Sequence, residues 1–133
     1  MVMIKIKKDI IEKIIEHSRK DAPIEACGYL ASDDHLVVRH YEMTNGDKSR
    51  EHFSFLPNEQ FKVLKESRSL GLKLTAIYHS HPESPARMSE EDIKLAHDPN
   101  ISYIIVSLLD KVTVKSFKVK DKIVTEEEIE EVL

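Results

Sequence analysis

The sequence predicts an α+β fold, a mixed and mostly antiparallel sheet flanked by helices. Two observations carry this. Short stretches of alternating apolar and polar residues recur along the chain, each closed by Asp, Asn, Gly or Pro, which is the signature of half-buried strands punctuated by turns. Between them lie a few segments whose apolar residues recur at helical spacing instead, and a mixture of this kind argues for helices packed on a sheet. No internal repeat or low-complexity linker divides the 133 residues. One domain, 1–133, is expected, large enough to bury roughly two-thirds of its unfolded surface.

Val2, Ile4 and Ile6 alternate with Met3, Lys5 and Lys7, the period of a strand. Asp9 is placed to cap a helix on which Ile10, Ile11, Ile14 and Ile15 form one apolar face, ending near Asp21 and Pro23. Residues 28–31 and 36–43 read as strands joined around Asp33-Asp34. Asn45-Gly46-Asp47 is a turn signal, followed by an exposed loop through His52. Pro57 opens a second helix carrying Phe61, Leu64 and Leu70, with Gly71 suited to the left-handed position after it.

Residues 74–81 form a strand that runs out into a polar, proline-containing loop. Ser89 starts a third helix, which Asp98-Pro99-Asn100 stops. Residues 103–109 make an apolar strand expected at the centre of the sheet, and 112–119 make another. The latter changes face between Val114 and Phe117, which predicts a bulge near Ser116. Ile123-Val124 adds a short strand, and Thr125 with Glu128 forms a capping box for a last short helix.

Composition removes several classes of function. The 20 basic and 24 acidic residues are mixed along the chain, without the basic patch that neutralises phosphates, so nucleic acid is not the expected partner. No apolar run approaches the roughly 20 residues of a membrane span, and residues 1–7 do not build the apolar block of a signal peptide. The single cysteine, Cys27, cannot form an intramolecular disulfide. It reads as a buried structural thiol, and a reducing cytoplasm is the expected location.

The chemistry is concentrated in His79-Ser80-His81-Pro82 and Ser89-Glu90-Glu91-Asp92. Residues two apart on a strand share a face, so His79 and His81 can aim both imidazoles at one point. Asp92 would lie in the first turn of the following helix, where the macrodipole favours an ionised carboxylate. Two imidazole nitrogens and one carboxylate oxygen make a three-ligand zinc set with a fourth position open for water, the catalytic pattern; closed four-ligand sites are structural. Each piece also has an ordinary explanation. Seven histidines in this length would give an H-x-H by chance in roughly a third of such sequences, and Ser-x-x-Asp is a common helix cap. The combination, in fixed order, is what capping does not explain.

His79-Ser80-His81, seven intervening residues, then Ser89-Glu90-Glu91-Asp92 resembles the JAMM signature of the MPN+ metalloproteases. Glu25, in Pro23-Ile24-Glu25-Ala26-Cys27-Gly28-Tyr29, matches the acid that the family places well upstream. The 53–57 loop, Ile77-Tyr78 and the 103–108 strand extend the similarity to nearly the whole chain, in the manner of the short prokaryotic branch. One departure is Met88, where many members carry proline. The resemblance implies an MPN-like fold, zinc held by His79, His81 and Asp92, and Glu25 as general base toward a zinc-activated water. It implies Ser89 as a donor to the oxyanion, a role in competition with capping the helix.

The substrate so implied is an amide bond at the C-terminal tail of a ubiquitin-like or sulfur-carrier protein, held beside a sheet edge by strand addition. A lysine-linked ubiquitin-like modifier is the alternative substrate, and the resemblance leaves a homodimer open. Two other functions compete. A non-catalytic MPN scaffold would require the complete ligand set to be vestigial. A zinc deaminase would need a Cys-x-x-Cys pair and an H-x-E element, and the chain has neither. Of the other histidines, His52 lies in a loop that could line the substrate groove. His17, His35, His40 and His97 lack spacing partners and read as surface or internally satisfied side chains.

Overall fold

The computed structural model describes residues 3–133; Val2, part of the predicted opening strand, lies outside the described residues. The elements run β1 (Met3–Lys7), α1 (Lys8–Asp21), β2 (Cys27–Asp33), β3 (Leu36–Met43), α2 (Pro57–Ser69), β4 (Lys73–His81), α3 (Glu90–Leu95), β5 (Ser102–Ser107), β6 (Thr113–Lys120) and β7 (Ile123–Val132). The strands close into a barrel in the order β1-β3-β2-β4-β5-β6-β7. β1 is parallel to β3 and to β7, and β4 is parallel to β5. The remaining pairs are antiparallel. The sheet is therefore mixed and mostly antiparallel, as the sequence predicts. Closure gives every strand two neighbours, and β4 lies between β2 and β5, so among the described residues no free sheet edge is available beside β4 for strand addition.

Helix α1 supplies one side of the core. Ile10, Ile11 and Ile14 are buried against Ile4, Ile6, Leu30, Val37, Tyr78, Ile104 and Val106, with Ile15 packed behind them. Each such side chain contributes about 2 kcal/mol by leaving water. Asp9 does not cap this helix. Lys7 occupies the N-cap position without a side-chain bond, while Asp9 sits inside the first turn and pairs with Lys13 at 3.6 Å.

On the opposite face of the sheet, Cys27, Ala31, Tyr41, Met43 and Val63 form a second cluster with Tyr29, Phe53 and Phe55. Helix α2 covers it in an unexpected way. Phe61, Leu64 and Leu70 are exposed, and the buried residues are Val63 and Ser67. Polar contacts anchor the helix instead: Thr44 donates to both Glu59 carboxylate oxygens at 2.8 and 2.7 Å, Gln60 donates to Tyr29 at 3.1 Å, and Arg39 pairs with Glu66 at 3.0 Å. Gly71 adopts φ +72° after it, as predicted.

Two further expectations fail. β6 carries no bulge: its register against β5 and β7 is continuous through Ser116. The apparent change of face arises because both faces are buried there, Ser116 donating to Glu127 at 2.7 Å and Phe117 packing with Ala86 and Ile105. The bulges lie opposite Leu30–Ser32 of β2, with Val38 the extra residue in β3 and Thr75 the extra residue in β4. The predicted last helix is instead β7, antiparallel to β6 and parallel to β1. The local capping signal of Thr125 and Glu128 yields to the unpaired edges that this strand closes.

Gly28 sets how closely β2 approaches Tyr78. A Cβ there would overlap both the Tyr41 carbonyl oxygen and the Tyr78 ring, and Tyr78 is fully buried with its hydroxyl 2.7 Å from His17 Nδ1. Gly28→Ala should therefore lower stability by about 3 kcal/mol. Urea unfolding measures this; an unchanged midpoint would mean that the ring moves aside at no cost.

Candidate metal centre and active site

Strand β4 presents alternate residues to the two faces of the sheet. Tyr78 and Ala76 enter the α1 core, while His79 and His81 emerge on the other face, 3% and 4% exposed. After β4 the chain turns through Pro82–Met88 and enters α3, with Ser89 as N-cap. Asp92 occupies the third helical position in a full capping box: its backbone NH donates to Ser89 Oγ at 3.0 Å, and Ser89 NH donates to Asp92 Oδ2 at 2.9 Å. This ties the carboxylate to the helix start and turns it toward the histidines. Met88 fills the space beside Ala86, Ile105 and Phe117, and Ser107 donates to Ser84 O at 2.7 Å, so the loop is braced without the proline common at that position.

The three side chains converge. His79 Nε2 lies 3.1 Å from Asp92 Oδ1, His81 Nε2 lies 3.0 Å from Asp92 Oδ2, and the two Nε2 atoms are 3.2 Å apart. Metal–ligand bonds of about 2.0–2.1 Å in a tetrahedral site place neighbouring donors about 3.3 Å apart, close to these separations. His81 Nδ1 faces Pro85 O at 2.9 Å; donation there directs the Nε2 lone pair of the neutral ring to the common point. Phe53 stacks on His79 with ring centroids 4.9 Å apart. The donor set fits a metal ion.

Electrostatics separate the two buried acids. Burial alone would raise the Asp92 carboxyl, but the hydrogen bonds from His79 and His81 outweigh it and hold the group well below the usual carboxylate range. Burial would lower His81; its bonds to Asp92 and the Pro85 carbonyl reverse this and raise it. Glu25, 2% exposed, is pushed up to about 8, chiefly by burial, against the opposing effect of His81 and with the charges of Asp92 and Glu51 adding to the rise. Its Oε1 is buried without a hydrogen-bond partner.

Glu25 immediately precedes the segment leading into β2, and its backbone is held on both sides. Its NH donates to Ser49 O at 2.9 Å, and Asn45 Nδ2 donates to its carbonyl at 3.1 Å and to His52 O at 3.0 Å. Ser80 links the same segment to β4: Ala26 NH donates to Ser80 Oγ at 2.8 Å, and Ser80 NH donates to Ala26 O at 2.9 Å. Asn45, Ser80 and Phe53 are thus supports of the site that no local sequence pattern marks. Asn45 registered only as a turn residue. The signal for Ser80 is a polar side chain on a strand face otherwise apolar, where a buried hydroxyl needs a partner.

Ser89 caps α3 through its oxygen as an acceptor, which leaves its hydroxyl proton free to donate, so the two roles can coexist. Ser89, Glu25, His52 and His81 border one cleft of 710 Å³. A smaller apolar cleft of 250 Å³ adjoins it, walled by Phe53, Phe55, Ile77, Met88, Leu95 and Tyr103 and reaching His79 and Asp92. His17 is internally satisfied by Tyr78 and Asp21, and Cys27 is buried with its thiol pushed up to about 12 by burial. No helix among the described residues is long and apolar enough to cross a membrane.

Residues 7–120 match Prok-JAB, the prokaryotic homologs of the JAB domain. The chain is 34% identical over 128 residues to the CysO-cysteine peptidase of Mycobacterium tuberculosis, covering 93% of this chain and 88% of that protein. It is 33% identical over 106 residues to the desampylase of Haloferax volcanii, covering 74% and 76%. The solution structure of a Desulfitobacterium hafniense protein superposes with a TM-score of 0.88 at 43% identity, covering 98% of this chain and 95% of that one. The chain belongs to the prokaryotic JAB-domain family, within the JAMM/MPN proteins, and is an enzyme of its peptidase class.

In protein stripped of metal, the unfolded chain ionises Glu25 near its ordinary value of 4.5, whereas the folded chain keeps it protonated to about 8. Stability from this group is therefore lost as pH rises between those values, and Glu25→Gln removes the loss. Denaturant unfolding should give similar stabilities for both proteins near pH 5. Near pH 8 the variant should be the more stable by a few kcal/mol; equal stabilities there would mean that the carboxylate is solvated.

Proposed function

We propose that the chain is a zinc-dependent peptidase that hydrolyses the amide bond at the C-terminal tail of a ubiquitin-like or sulfur-carrier protein. The observation that carries this reading is the Glu25 side chain: a buried, unpartnered carboxyl oxygen on the cleft that His81 also borders. An unsatisfied buried oxygen costs about 1–3 kcal/mol, and a reacting proton would use it. Two imidazoles and one carboxylate, with a cleft on the open side, suit zinc. When bound, zinc supplies the Lewis acidity that makes a water nucleophilic near neutral pH.

The chain's own residues do the rest. Glu25 accepts one proton of the attacking water as its oxygen bonds to the carbonyl carbon. The C–N bond then breaks with its electron pair on nitrogen, Glu25 returns the proton to that nitrogen, and the second hydrogen of the water stays with the new carboxyl group. Ser89 donates its free hydroxyl proton to the carbonyl oxygen as negative charge develops there. Pro85 O holds the His81 ring through Nδ1. The apolar cleft beside His79 suits the acyl-side tail.

The substrate class is supported by the family and by relatives named a CysO-cysteine peptidase and a desampylase. The second of these favours a lysine-linked modifier as the alternative substrate. A single, buried thiol at Cys27 agrees with a reducing cytoplasm, and the net charge of −4 agrees with a protein partner in place of nucleic acid.

Intact mass spectrometry of a carrier with a short C-terminal extension, incubated with zinc-loaded enzyme, should show loss of the extension. Glu25→Ala should keep stoichiometric zinc and lose turnover, whereas His79→Ala and Asp92→Ala should lose both. Near-normal turnover by zinc-loaded Glu25→Ala would overturn the mechanism. Ser89→Ala should slow turnover roughly a hundredfold, the effect of losing one oxyanion donor, and should lower stability by about 1 kcal/mol through the lost cap.

A further inference from the structure

The two clefts that meet at the ligand set have opposite chemistry. One is walled by aromatic and aliphatic side chains. On the other, Glu51, Glu83, Glu90 and Glu91 line the cleft together with Glu25, Glu91 bordering both clefts, and Arg50 is the one guanidinium or ammonium group among the lining residues. Arg50 is already engaged, 3.5 Å from Glu83. His52, at the boundary between the clefts, is held by Asp47 at 2.9 Å. Acidic side chains on a solvated rim are commonplace. Here they share the cleft with Glu25, whose Oε1 is buried and unpartnered, which gives the rim a reacting group among its lining residues.

We propose that the acidic cleft is the leaving-side subsite, and that it selects a cationic segment carrying no free carboxylate next to the scissile nitrogen. The proposal rests on the reading above in one respect: Glu25 returns its proton to the leaving nitrogen. Glu25 borders the acidic cleft and not the apolar one, so the leaving nitrogen lies among the glutamates and the acyl-side tail runs toward Phe53 and Leu95. A single terminal amino acid as leaving group would bring its α-carboxylate into this rim, two bonds from the scissile nitrogen. With a screening length of about 8 Å at physiological salt, charges within one cleft still act on one another. A lysine side chain on a basic surface, or a linear extension with basic residues, brings positive charge instead. Glu83 and Glu90 are the specificity-determining residues on this account.

The test uses one carrier protein with four amide-linked leaving groups: cysteine with a free carboxylate, cysteine carboxamide, a linear basic tetrapeptide amide, and a lysine Nε within a short basic peptide. With zinc-loaded full-length enzyme, kcat/KM should be about tenfold higher for the carboxamide than for the free carboxylate, and higher again for both basic groups. The ranking of the last two tells a linear extension from a lysine side chain. The double variant Glu83→Gln, Glu90→Gln should narrow the carboxylate-to-carboxamide gap to less than threefold, and 0.5 M salt should do likewise.

A second readout needs no turnover. Titrating the free basic peptide into zinc-loaded Glu25→Gln protein should shift the amide resonances of Ser84, Ser89 and Glu90, and an acetylated free-carboxylate cysteine should not. Equal or faster cleavage of the free-carboxylate substrate would overturn the subsite and leave the peptidase reading intact. Absence of any cleavage, with the basic peptide still shifting those amides, would overturn the peptidase reading and retain the cleft's selectivity. Absence of both would overturn both.

Discussion

The register of β2 against β4 is the constraint on which the site depends. Cys27 pairs with His79, and the exchange between Ala26 and Ser80, backbone to hydroxyl and backbone to backbone, locks the strand ends together. That lock fixes the distance between a carboxyl group at the entrance of β2 and two imidazoles at the exit of β4. A slip of one residue would turn His79 and His81 into the α1 core and bring Tyr78 and Ser80 out. The close approach of β2 at Gly28 and the buried Tyr78 beside it oppose such a slip from within the core. Packing on one face of β4 thereby positions His79 and His81 on the other.

The same arrangement divides labour between two acids. Asp92 and Glu25 are both buried carboxylates, yet their environments push them in opposite directions. Asp92 has two imidazoles and a helix N-terminus to stabilise its charge; Glu25 has a desolvated pocket, an unpartnered oxygen and a neighbouring negative charge. One is held ionised beside two imidazoles, and the other is kept protonated toward neutral pH, which suits the ligand and proton-transfer roles proposed for them. Pairs of titratable groups driven apart in this way mark acid–base assignments. The assignment here follows from partners fixed by backbone geometry, since the Asp92 position is set by its capping box and the Glu25 position by the 45–52 loop.

Much of this was legible in the sequence, and the parts that were not have a common cause. The α1 face, the strands and the turn residues are written in local periodicity. So is the ligand triad, because H-x-H on a strand and Ser-x-x-Asp at a helix start are both short-range patterns. Glu25 emerged only through resemblance, since no local pattern marks it. Asn45, Ser80 and Phe53 escaped because each acts on a partner distant in sequence. The misread elements fail for the reverse reason. Thr125 to Glu128 is a sound local helix start, and Phe61 with Leu64 a sound apolar spacing, but the barrel needed a strand between β6 and β1, and α2 is held by polar contacts, leaving those side chains in solvent. Tertiary pairing overrode local preference in both cases.

Without a metal, the centre is an unresolved electrostatic arrangement. Two imidazole nitrogens at 3.2 Å face one ionised carboxylate, hydrogen bonds to Asp92 and Pro85 favour a proton on His81 against its burial, and the Glu25 carboxyl stays neutral chiefly because burial disfavours its charged form. A divalent cation held by His79, His81 and Asp92 would answer all three at once, taking the place of the proton on His81, neutralising Asp92 and easing ionisation of Glu25. Metal affinity and the acidity of Glu25 would therefore be linked properties of one cluster. A substitution that moves either one through the β2–β4 lock should move the other, even where it touches neither side chain. That linkage separates a site assembled for chemistry from three ligand-type residues that merely share a face.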